Sequence, residues 1–459
     1  MDWKHTFKTF YEGETDDSFI PTGNKYLSSS NIDPSSNPKY LQLSERLVTL
    51  DTETTTADLT DILALPWSAY VYTGSGNVFY NSTERTSTIG WTTYSVAHYL
   101  YNTSSALKVF VFDATSVYRM NSDLSTKEAT IATAWGVVTA VCQATNTLVF
   151  AIWSVLYQLT NASTVSTVLT TLPYGITVKK LYFYNDILYI FTQDWPDIKI
   201  YQARYNGSSY DLIYWHVKED ISIYDMCGSG WRMYWVSNVG FYQTDGVESQ
   251  LIKRKTFTSS ARCSIHQDYF VYIIDWVEVC RFGTSLPWFP KPFVELYNHD
   301  APISAVNGPI YLEARSVWGT VDRLWFSGRA SSGEIVTIPY DASALWADKS
   351  LEVICFPYEL KTGSTWASIQ IQMQTNLMEL DNSATFNNIL TLTDLSNDVG
   401  ICRIDASQIL SAMGSKTPNF SWVKFKIILN RSTSGEYTPK VYQDIYIAGS
   451  FLNDAKVIW

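Results

Sequence analysis

Charge is scarce in this sequence. Only 17% of its 459 residues are Asp, Glu, Lys or Arg, against roughly 25% in an ordinary soluble protein. The basic residues number 33 and the acidic ones 44, leaving a formal charge of -11. A surface that grips nucleic acid needs clustered Lys and Arg to displace counterions, and this acidic balance argues against one. An acidic wall that repels phosphate is still compatible with a conduit through which DNA slides. Cysteine is sparse as well. Cys142, Cys227, Cys263, Cys280, Cys355 and Cys402 form no CxxC, and no histidine stands at ligand spacing from any of them. They read as small buried thiols of a reducing compartment, with disulfides and a metal site as the weaker alternatives. The start, Met1-Asp2-Trp3-Lys4-His5, has no apolar core segment, so no signal peptide is expected. A membrane helix needs about 20 mainly apolar residues. Residues 129–178 carry no charge, but Thr, Ser, Asn and Gln interrupt them every few positions, which fits buried strands instead.

Catalytic fingerprints are missing too. There is no GxxxxGK[ST], no GxGxxG after a strand, no HExxH and no GxSxG. The five histidines, His5, His98, His216, His266 and His299, lie far apart and share no motif. A glycosidase would need two carboxylates about 5–9.5 Å apart. Turn-borne candidates are Asp194 with Asp197, Asp275 with Glu278, and Glu219, Asp220 and Asp225, each also readable as a solvated turn residue. Asp394, Ser396, Asp398 and Gly400 resemble a calcium loop, but the glycine comes one place late and no bidentate Glu follows. The expectation is a chain with no catalytic residue, no cofactor and no metal, and hence not an enzyme.

What is present is aromatic and β-forming. The chain has 31 Tyr, 17 Trp and 21 Phe, and Thr, Ser, Val and Ile take the place of helix formers. Six segments share one pattern: an apolar strand, a short turn, and a second strand with an apolar–aromatic pair. They begin at Ala69, Lys108, Thr147, Ile187, Arg232 and Tyr269. The second-strand anchors Phe79, Tyr118, Tyr157, Tyr201, Tyr242 and Cys280 recur at intervals of 39, 39, 44, 41 and 38 residues. A seventh candidate starts at Arg323 after a longer gap. Four short strands with tight turns fill about 40 residues, the size of one propeller blade. A lone blade leaves both faces wet, whereas a closed ring buries them.

These readings give an all-β chain: a six- or seven-bladed β-propeller over residues 61–341, an extended N-terminal arm over 1–60, and a β-sandwich over 342–459. The arm is rich in Gly, Pro, Ser, Asn and Asp, too polar for a core of its own. An insertion with Pro287, Pro290 and Pro292 excludes a helix or central strand there. It presents Trp288, Phe289 and Phe293 as candidate interface anchors. The C-terminal region alternates in WASIQIQMQT and VKFKIILN, as strands with one dry face do. One short helix, 405–413, is capped by Asp405 with Gln408 and ended by Gly414.

Three features together carry a resemblance. They are the arm NIDPSSNPKYLQLSERL (Asn31 to Leu47), the repeated apolar-Tyr-Gln/Arg strands, and the C-terminal SWVKFKIILN followed by YTPKVYQDIYIAG. With these the chain resembles the propeller-bearing tail proteins of bacteriophages, such as nozzle or hub subunits of short-tailed phages. The resemblance implies a virion structural protein made in the host cytoplasm. It implies a homo-oligomeric ring, commonly a hexamer, around the DNA exit channel, with neighbouring tail proteins as partners and genomic DNA only as passing cargo. The alternatives are a glycan- or receptor-binding propeller, with Trp195, Trp276 and Trp288 as stacking faces, and a propeller glycosidase.

Overall fold

The computed structural model describes residues 3–452 apart from 8–9, 11–12, 15–24, 33, 35–38, 55–58, 66–68, 75–76, 82, 91–93, 103–104, 134–135, 161–166, 208, 267–269, 284–292, 299–302, 308–310, 316–319, 343–346, 362–365, 378–384, 394–397, 414–418 and 434–436. The chain divides into two compact units. One comprises Val48–Val279 and Asn298–Trp325; the other comprises Met1–Leu47, Cys280–Tyr297 and Phe326–Trp459.

Seven four-stranded antiparallel sheets follow one another along the described chain. The second, for example, takes Tyr94–Asn102, Ser105–Asp113, Ser116–Met120 and Lys127–Ala132 in spatial order, and the third takes Val138–Ala144, Thr147–Ile152, Val155–Leu159 and Thr167–Thr171. The first strand of each sheet touches the first strand of the next, and Ile303–Asn307 of the seventh returns to Leu59–Ala64 of the first. That closed cycle around one axis is a β-propeller. The seventh sheet joins Ile303–Asn307, Tyr311–Arg315 and Thr320–Arg329 to a fourth strand from far upstream, Glu45–Thr54. The seventh candidate repeat therefore splits: its first half, Thr320–Arg329, stays in this sheet, while Ser332–Thr337 pairs elsewhere.

The apolar runs are continuous because both faces of each sheet are covered. On Ser105–Asp113, Val109 and Val111 pack with Leu63, Val71 and Val78 of the first sheet. Phe110 and Phe112 point the other way, to Val138, Leu148 and Phe150 of the third. Val149 and Leu156 then meet Val178, Leu188 and Ile190 of the fourth. The repeat anchors all fall on the third strand of their sheets and are all buried. Five of them face an aromatic or aliphatic residue of the second strand in register: Tyr72 to Phe79, Val111 to Tyr118, Phe150 to Tyr157, Ile190 to Tyr201 and Trp235 to Tyr242. Trp235 and Tyr242 stack with centroids 4.0 Å apart. The uncharged stretch 129–178 supplies strands of the second, third and fourth sheets. Among the described residues no helix is long and apolar enough to cross a membrane.

The other unit has a seven-stranded and a six-stranded sheet that share a core of Trp3, Phe7, Tyr26, Ile335, Ile354, Phe356, Ile371, Phe425 and Ile447, a β-sandwich. The N-terminal segment is woven into it. Trp3–Phe7 pairs with Ile445–Phe451, Lys25–Ser30 with Ser332–Thr337, and Tyr40–Leu41 with Lys440–Tyr442. The Phe10 N–H donates to Gln443 Oε1 at 3.0 Å across 433 residues of sequence. A polar segment with no core of its own thus becomes ordered by completing sheets whose other strands lie at the far end of the chain. The short helix spans Ala406–Met413, with the Asp405 N–H donating to Gln408 Oε1 at 2.9 Å as half of a capping box. Gly414 lies outside the described residues.

Candidate functional site

The innermost strands of the propeller share an irregularity. In six of the seven sheets the pairing of first and second strands skips one residue near the start of the first. The skips fall at Leu59/Asp61, Tyr94/Val96, Val138/Ala140, Val178/Lys180, Ile223/Asp225 and Ile303/Ala305. Such bulges bend a strand and re-aim the residue that follows. In three sheets that residue is charged: Asp61, Lys180 and Asp225. They converge on the propeller axis with Arg262, the first residue of the sixth sheet.

Lys180 Nζ sits 2.6 Å from Asp225 Oδ1. Asp225 Oδ2 accepts the Cys263 N–H at 2.9 Å, which ties the fifth sheet to the sixth. Asp61 comes from the opposite side of the ring. Burial pushes its carboxyl up to about 6, against the pull of Lys180, the Ile62 N–H and Arg262, while Asp225 adds to the rise. Burial works against the charge of Lys180, but Asp225 and Asp61 outweigh it and hold its pKa above the ordinary value. The Lys180 side chain is 40% exposed and that of Asp225 5%, so the pair is partly open to solvent.

The two-residue turns between second and third strands all open on one face of the propeller. Three carry an exposed tryptophan: Trp153 at 61%, Trp195 at 79% and Trp276 at 57%. Trp153 and Trp276 hold φ at 55° and 62°, a left-handed conformation that bulky residues avoid. Trp288, the third stacking face expected from the sequence, lies outside the described residues, as do Phe289 and His299. Phe293 is described and buried, so it is not presented outward on this chain.

The carboxylates grouped by sequence neighbourhood are engaged with other groups, although Asp194 and Asp197 stand opposite each other in register. Asp194 pairs with Lys199, and Glu278 with Lys255. Asp197 Oδ1 accepts the Asp220 N–H at 3.1 Å. Asp275 accepts the Thr258 N–H at 2.7 Å and the Ser260 hydroxyl at 3.3 Å, pinning the loop before the sixth sheet. Of these candidates only Asp225 reaches the axis. Its companions Asp61, Lys180 and Arg262 were not singled out from the sequence. The signal available was a charge at the start of an apolar strand, in TDILA, VKKLYFY and ARCSI.

His5, His98 and His216 stay apart, each with its pKa lowered by burial. All six cysteines are free. Of the calcium-like run, Asp394 and Ser396 lie outside the described residues. Among the described residues no cluster of three His, Cys, Asp or Glu could hold a metal.

No family model matches this chain, and no curated protein does. Solved structures resemble it weakly. The computationally designed Ika8 protein shares 11% identity at a TM-score of 0.42, over 62% of this chain and 100% of that one. Raptor of Chaetomium thermophilum shares 12% at 0.45, over 62% and 29%. The Pan2 WD40 domain of Neurospora crassa shares 7% at 0.46, over 62% and 97%. The propeller assignment rests on the sheets and their cyclic contacts.

Proposed function

We propose that this chain is a structural component of a bacteriophage tail, nozzle- or hub-like. In this reading several copies form a ring that docks neighbouring tail proteins and frames the DNA exit channel. The resemblance in the arm, blade strands and C-terminal strands motivates it. The observation that carries it is the interlocking of the chain. Strand Glu45–Thr54 completes a propeller sheet otherwise built from 303–329, and four upstream strands complete the sandwich sheets. Pulling on either end must break rows of strand hydrogen bonds at once, which suits a part loaded by passing DNA. Localisation in the virion tail, after synthesis in host cytoplasm, belongs to the same proposal.

Native mass spectrometry and electron microscopy of the purified chain test it. The expected result is a closed ring, six copies being the leading number. A chain that stays monomeric up to high concentration, and is absent from purified tails, would sink it. The second reading, a glycan- or receptor-binding propeller, is favoured by Trp153, Trp195 and Trp276 on one face. It predicts retention on immobilised host surface glycans that falls when Trp195 is replaced by Ala.

A further inference from the structure

On the opposite face of the propeller the third and fourth sheets part around a cleft of about 600 Å³. That volume falls in the range of small-molecule sites, about 300–1,000 Å³. Its floor is apolar and aromatic, with Phe183 half-buried and Tyr210 buried. Tyr205 stands at its edge, 45% exposed, its ring 5.3 Å from that of Tyr210. Gln158, Asp186 and Arg204 line the rest.

The side chains here contrast with those of other turns. Asp113, Asp245 and Asp275 all accept backbone N–H groups. Among the described residues, the side chains of Gln158, Asp186 and Arg204 and the hydroxyl of Tyr210 have no hydrogen-bond or ion-pair partner, although all four face one hollow. The Tyr210 hydroxyl is a donor at neutral pH, and burial raises its pKa further. The hollow is not a general property of blade junctions. Between the fourth and fifth sheets Tyr182 fills the corresponding space. Its ring lies where a Cβ on Gly228 would come within 2.6 Å, and its hydroxyl donates to the Gly230 carbonyl at 3.0 Å.

We propose that this cleft binds a neutral pyranose unit of a saccharide. The apolar face of a sugar ring stacks on Tyr205 and Phe183 as another ring would. The planar groups of Gln158, Asp186 and Arg204 offer donors and acceptors in pairs, the spacing that vicinal hydroxyls require. A polyanion is disfavoured by the net charge of -11 and by Asp186 at the rim. The site is separate from the tryptophan face and rests on neither reading of the whole chain.

The experiment uses the full chain on an array of immobilised neutral glycans. Saturation-transfer NMR with free methyl glycosides of glucose, galactose and N-acetylglucosamine accompanies it. Binding is expected, with Tyr205→Ala weakening it about tenfold, Asp186→Asn by several-fold, and Tyr205→Phe retaining it. Tyr205 and Asp186 are exposed, so neither variant should unfold the protein, and circular dichroism checks this. A blank array overturns the proposal. So does binding that survives both Tyr205→Ala and Asp186→Asn, or that is lost in Trp195→Ala instead. Ring assembly of the Tyr205→Ala chain, read by native mass, is expected unchanged, so failure here and failure of the tail reading are distinguishable.

Discussion

Replacing Asp61 by asparagine isolates the cost of holding a carboxylate in the axial charge cluster. Burial lifts this carboxyl from 3.8 to about 6. Each unit corresponds to about 1.4 kcal/mol, so an ionised Asp61 costs the fold up to about 3 kcal/mol at neutral pH. Asp61 is only half-buried by residue exposure, and the solvent it meets screens part of this, which leaves about 1–3 kcal/mol. The sign follows from proton counting. Between about pH 4 and pH 6 the folded chain holds a proton that the unfolded chain has lost, so stability falls as pH rises through that window. Asparagine is nearly isosteric with the protonated acid and can still accept the Ile62 N–H. The Asp61→Asn chain should therefore match the parent at pH 4 and exceed it by about 1–3 kcal/mol at pH 7. Urea unfolding at pH steps from 4 to 8 measures the difference, and hydrogen exchange of the innermost strands reports on the propeller by itself. Acid destabilisation from the buried histidines His5, His98 and His216, whose pKa values are lowered, is common to both chains and cancels. A variant less stable than the parent at pH 7, or displaced equally at both pH values, would refute the reasoning.

Three further outcomes test the packing. Trp235→Ala empties a fully buried position stacked on Tyr242 and should cost about 3–5 kcal/mol by denaturant midpoint, while the exposed Trp195→Ala should stay within about 0.5 kcal/mol. Gly449→Ala places a Cβ against the Ser350 carbonyl and the Trp3 indole; a loss of about 1–3 kcal/mol is expected, and an unchanged thermal midpoint would contradict the register of Trp3–Phe7 on Ile445–Phe451. Removing residues 1–44 strips Trp3, Phe7 and Tyr26 from the sandwich core, so the shortened chain should bind a hydrophobic dye and be cut rapidly within 330–452 by protease.

Much of the fold was legible because blades are local. Within six of the seven propeller sheets the strands are consecutive, so a 40-residue period and a buried anchor such as Tyr157 leave their mark on the sequence. Alternation in VKFKIILN likewise reads directly as the burial seen on Val423–Asn430, where residues alternate buried and half-buried. The helix cap at Asp405 and Gln408 is local too. The closing strand Glu45–Thr54 was not legible, since its partner Thr320–Arg329 lies nearly 280 residues away. The axial cluster was hidden for the same reason. Asp61, Lys180, Asp225 and Arg262 come from four sheets, and each looks in its own strand like a single misplaced charge.

By itself the sequence determined an all-β chain of stacked near-40-residue units, with a second β domain after them and an arm too polar to fold alone. These follow from strand propensity, side-chain period and turn chemistry, which act over a few residues. Only the tertiary structure decided which distant strands complete which sheets, that four scattered charges meet on one axis, and that one blade junction stays open while the next is filled. Those outcomes depend on closing the chain into a ring, where residues far apart in sequence share a dry or narrow space, and their energies come from that shared environment.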